Sequence, residues 1–115
     1  MWRFKDEFMW EEKLEIYKML IAKCPRFELK GKKMLYTSAN GYMFSLFNKA
    51  GEIGIRFSDE VQQKYLKEFD TTYYKSYGAT MKGYVLIPER MFVDLDALAV
   101  YLDESYEYVM SLEPK

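Results

Sequence analysis

Histidine is missing from this 115-residue chain, and cysteine occurs once, as Cys24. The first absence removes the side chain whose ordinary pKa best suits general acid–base work near neutral pH. It also removes every Cys/His arrangement for zinc. The second excludes an intrachain disulfide and fits a reducing compartment. Cys24 would lack an imidazole partner and ends a predicted helix, away from the terminus that lowers a thiol's pKa. It reads as a small structural hydrophobe. Charge of one sign is also lacking: the formal net charge is −1. Sequence-independent nucleic-acid binding draws on a broad basic field, which is absent. No apolar run approaches the ~20 residues that span a bilayer. The opening Met1-Trp2-Arg3-Phe4-Lys5-Asp6 lacks the apolar core of a signal peptide. A soluble, cytoplasmic protein with no membrane association is expected.

What is present is apolar and aromatic: 50% and 18% of the chain. That suffices for one core, and the length suits one domain over residues 1–115. The segment Lys33 to Phe57 organises it. Asn40-Gly41 predicts a type I′ hairpin turn, which needs positive φ at both central residues. Asn48-Lys49-Ala50-Gly51 offers a second turn, with Gly51 left-handed. A two-residue first turn pairs Ala39 with Tyr42, Thr37 with Phe44 and Leu35 with Leu46. A four-residue second turn sets Leu46 by Ile53, Phe44 by Ile55 and Tyr42 by Phe57. All these residues then share a core face. A three-residue second turn would bring Gly54 and Arg56 beside the core residues of the middle strand, and is rejected. The other face carries Met34, Tyr36, Ser38, Met43, Ser45, Phe47, Glu52, Gly54 and Arg56.

Before this meander, helical spacing of Trp10, Leu14, Tyr17 and Ile21, widened by Phe8, Ile16 and Leu20, predicts a helix from about Asp6 to Lys23. Asp6 and Glu7 suit the positive end of its dipole, and Pro25 ends it. After the meander, Ser58 caps a second helix with Asp59 and Glu60 in its first turn. Its stripe is Val61, Tyr65, Leu66 and Phe69. A short strand is expected at Thr72 to Lys75, a turn at Tyr77-Gly78-Ala79 and a strand from Met81 to Ile87, stopped by Pro88. After an irregular piece, Asp94 caps a last helix to about Leu112, with Leu95, Leu98, Ala99, Leu102, Tyr106 and Val109 inward. The order αβββαββα with hairpin-linked strands predicts a two-layer α+β fold: an antiparallel sheet with helices packed on one face.

No constellation carries chemistry. Glu11-Glu12, Asp94/Asp96 and Asp103-Glu104-Glu107 read as solvated helix faces rather than metal ligands or an acid–base pair. No cofactor and no enzymatic activity are expected. Lys30, Lys32 and Lys33 match no phosphate-binding fingerprint. Together with Arg26 and nearby tyrosines they leave a nucleic-acid-associated module as an alternative. Tyr73, Tyr74, Tyr77 and Tyr84 read as core or interface rings before base-stacking ones. The outer meander face stands out: Met34, Tyr36, Met43 and Phe47, with Arg56, would form an adaptable interaction surface unless another segment, such as the N-terminal residues or residues 70–80, folds over it.

The run Met81-Lys82-Gly83-Tyr84-Val85-Leu86-Ile87-Pro88, with Asp94, Leu98, Tyr101-Leu102, Tyr108 and Ser111-Leu112 beyond it, resembles the TfoX N-terminal domain family. So do Lys33-Met34, Asn40-Gly41-Tyr42-Met43-Phe44 and Ile53-Gly54-Ile55-Arg56-Phe57. Members usually continue a Lys-Met pair with Phe-Gly-Gly, where this chain has Leu35-Tyr36-Thr37. The resemblance implies a two-layer α+β fold and a link, by name, to competence regulation. It transfers no catalytic residue. Because the family's eponymous regulator carries a further helical domain, this chain is expected to be a stand-alone form. The functional expectation is a non-enzymatic regulatory or protein-interaction domain that self-associates or binds a protein partner. A small-ligand binder is a second alternative.

Overall fold

The computed structural model describes residues 9–76 and 78–115. The expected start of the first helix at Asp6, with Glu7 and Phe8, lies outside them, as does Tyr77. Among the described residues the order is α1 (Trp10–Ala22), β1 (Leu35–Ala39), β2 (Tyr42–Phe47), β3 (Ile53–Arg56), α2 (Asp59–Glu68), β4 (Tyr73–Ser76), β5 (Ala79–Leu86), a 3₁₀ turn (Glu89–Val93) and α3 (Leu95–Met110). The strands form one antiparallel sheet in the order β1-β2-β3-β5-β4. The fold is α+β, as the hairpin-rich pattern implied.

Local chemistry sets the boundaries. The Ser58 side chain accepts from the Val61 N–H at 3.3 Å, and Asp94 accepts from the Ala97 N–H at 3.1 Å, so both expected caps form. Asn40 (φ 57°) and Gly41 (φ 85°) make the left-handed pair that a type I′ turn requires. Asn40 also donates to the carbonyls of Val109 and Leu112, each at 2.9 Å, so the hairpin tip satisfies the open end of α3. The piece read as irregular after Pro88 is the 3₁₀ turn, which buries Phe92.

All three helices pack on one face of the sheet. Tyr17 and Leu20 of α1, Tyr65 of α2, and Leu98 and Leu102 of α3 meet Phe44, Phe47, Ile53, Ile55 and Val85 in one buried cluster. Burial of aliphatic and aromatic side chains at roughly 1.5–3 kcal/mol each makes this cluster the main stabilising term.

Two features of β2 overturn its expected register. A bulge between Thr37 and Ser38 sets Thr37 opposite Ser45, not Phe44, and Leu35 opposite Phe47, not Leu46. At the other end Phe47 pairs with Ile53 and Leu46 with Gly54, because Asn48 bonds Glu52 around a three-residue turn. Gly51 takes the left-handed position there (φ 80°). This is the turn rejected above. Each change shifts the middle strand by one residue, and a one-residue shift exchanges faces. The two shifts cancel between β1 and β3, whose inward residues are as expected. Only β2 beyond the bulge is reversed: Leu46 points outward and Phe47 inward.

Candidate interaction surface

Leu46, Tyr74 and Tyr84 are buried on the face opposite the helices, with Met34, Tyr36, Met43, Met81 and Leu86 packed around them. What covers this face is the β4–β5 hairpin. Two steps along β4, from Tyr73 to Lys75, match five along β5, from Val85 to Thr80. The surplus forms an irregular bulge between Thr80 and Val85, where Gly83 has φ 86°, and bulges bend the strand that carries them. The hairpin's distal half curls over the sheet.

Its anchors are specific. Tyr74 is fully buried, and its hydroxyl donates to the carbonyls of Leu46 (3.1 Å) and Glu52 (3.0 Å). Its ring rests on Gly54, where an added Cβ would meet the ring at 2.4 Å. Asn48 donates to the Lys75 carbonyl at 2.9 Å, tying the β2–β3 turn to the hairpin. The Tyr84 hydroxyl donates to the Met43 carbonyl at 2.8 Å. Both rings are therefore structural, and burial raises the pKa of each phenol.

Between this arm and β1–β2 lies an apolar cleft of about 420 Å³, lined by Met34, Tyr36, Met43, Leu46, Ser76 and Met81. Of the expected surface, Met34, Tyr36 and Met43 meet here. Phe47 does not: it is 3% exposed, stacked on Tyr17 at 5.6 Å and tilted against Trp10 at 5.7 Å on the helix side. Its reversal follows from the bulge. Nor does Arg56 join the cleft. Its guanidinium lies over the rings of Tyr42 (5.4 Å) and Tyr108 (5.8 Å). The twisted end of β3 carries it toward α3, where Ser105 donates to the Arg56 carbonyl. Leu46 and Ser76 were missed. The pairing of Leu46 with Gly54 was the available signal, since a small residue opposite leaves room for Tyr74 to cross.

Within the run Met81 to Pro88, Met81 lines the cleft, Lys82 and Gly83 lie in the bulged stretch, Tyr84 holds β2, and Pro88 opens the 3₁₀ turn. Of the basic segment, Arg26 pairs with Asp103 (3.3 Å) and with Glu107, and lies over Tyr106 at 4.5 Å. Lys30 donates to Ser38 at 3.0 Å, while Lys32 and Lys33 are exposed. Asp103 and Glu107, read as solvated, thus dock the connector between α1 and β1 onto α3.

Cys24 is buried, and desolvation foremost pushes its thiol up to about 11, the reverse of an activated nucleophile. Tyr17, Ser45 and Thr37 form a buried hydroxyl chain with links of 2.7 and 2.6 Å, which satisfies the Ser45 hydroxyl that the bulge turns inward beside Thr37. Among the described residues no group of three or more Cys, Asp or Glu side chains is placed to hold a metal ion. No helix among them is long and apolar enough to cross a membrane. No protein-family model matches the chain, and no curated protein matches it in sequence.

Proposed function

We propose that this chain is a non-enzymatic protein-interaction domain that self-associates through the cleft between the β4–β5 arm and the β1–β2 hairpin. The observation that carries the reading is a lining of three methionines, a leucine, a tyrosine and a serine with no ionisable charge at neutral pH. Such a surface meets its own copy across a two-fold axis without opposing like charges. Methionines adapt their shape to whatever covers them. A regulatory role is the further part of the proposal, supported only by the resemblance carried by the run Met81 to Pro88 and the shorter runs named with it.

Light scattering on the purified chain tests the association. Wild type should run as a dimer, and Met43→Glu or Met81→Glu as monomers with unchanged circular dichroism. A wild type that stays monomeric at its highest attainable concentration would sink the proposal. A deletion strain with an unaltered transcript profile would remove the regulatory part.

A further inference from the structure

Arg56 differs from the other described arginines. Arg26 is paired with two carboxylates and Arg90 donates to the Phe69 carbonyl. Arg56 has neither kind of acceptor among the described residues, yet it is half-buried and held against Tyr42 and Tyr108. Contact with a ring satisfies none of a guanidinium's N–H donors. The residue lines a cleft of about 320 Å³ with Phe57, Asp59, Lys82, Gly83 and Tyr108, away from the apolar one. Gly83 explains why Lys82 and Arg56 share it. At φ 86° the bulge has no Cβ, and the Arg56 chain passes 3.4 Å from where one would stand. Lys82 is exposed and has no acidic partner among the described residues. The Tyr108 hydroxyl bonds none of them either.

We infer that this cleft binds the phosphate group of a small phosphate monoester bearing a free hydroxyl. The guanidinium fork matches two phosphate oxygens, and Lys82 adds a point charge to the same group. The Tyr108 hydroxyl supplies a neutral donor. Asp59 sets the rest of the ligand: a carboxylate opposes a bare phosphate dianion but accepts from an alcohol. A hydroxylated ester is therefore favoured over inorganic phosphate. This site stands independently of the self-association proposed above.

Glycerol 3-phosphate, inorganic phosphate and glycerol serve as probes, titrated into the whole chain and followed by amide chemical shifts. Saturable shifts at Lys82, Gly83 and Asp59 are expected with the ester, weaker ones with inorganic phosphate and none with glycerol. Lys82→Gln and Arg56→Gln should each weaken the ester by about tenfold or more. Asp59→Asn should erase the preference for the ester. Lys82 is exposed, so its variant remains informative if Arg56→Gln fails to fold. Non-saturating shifts with the ester, or a Lys82→Gln variant that binds as wild type, would overturn the site. Equal binding of both phosphates by wild type would overturn the hydroxyl requirement.

Discussion

At the scale of single residues, this protein encloses three of its phenols and its thiol, and burial favours their neutral forms. Tyr17, Tyr74 and Tyr84 have phenol pKa values raised by burial, and Cys24 is raised from 9.0 to about 11. A raised native pKa means that the folded chain holds the proton more tightly than the unfolded chain. The associated stability is complete below the unfolded values and is lost as pH climbs through the native ones. For Cys24 the window opens near 9 and closes near 11; the phenols extend it upward from their ordinary value of about 10. Alkaline titration should therefore show unfolding and the last phenolate absorbance arriving together. Full phenolate absorbance before any loss of circular dichroism would contradict this. A disulfide reagent should likewise leave Cys24 unmodified near neutral pH until the chain is unfolded.

Among the elements, β2 is where reading and structure part. Its first end was legible, because Asn40-Gly41 demanded positive φ; at the second, Gly51 did take the left-handed position, but the turn is three residues long and not the four expected. The bulge was not legible, because an inserted residue requires no distinctive side chain and is decided by what packs on either side. Here Tyr17 arrives with a hydroxyl, so Ser45 turns inward between it and Thr37 while Leu46 is left for Tyr74. The two faces make opposite forecasts for one substitution. Phe47→Glu would place a charge in the helix-side core and should cost more than about 4 kcal/mol in urea unfolding. Met43→Glu, at the margin of the open cleft, should cost about 1 kcal/mol or less. The reverse ranking would restore the unbulged register.

Across the whole molecule, the helices close one face of the sheet and the sheet's own hairpin half closes the other. Asn48 is the fastener, bonded to both Glu52 and Lys75. Asn48→Ala should destabilise the fold by about 1–3 kcal/mol. Amide exchange should quicken from Lys75 to Met81 more than in β3, and a fluorescent apolar dye should gain access to the outer face. Uniform acceleration throughout the chain would show that the arm is no separate unit. By itself the sequence determined the element order, the helix caps, the hairpin turn and the inward residues of β1, β3 and α3. Each of these follows from a local preference or a short period that survives in isolation. Only the tertiary structure decided the bulge, the curled arm, and the separation of Arg56 from Met34, Tyr36 and Met43. Those depend on which distant side chains compete for the same space, and that competition does not exist until the chain is packed.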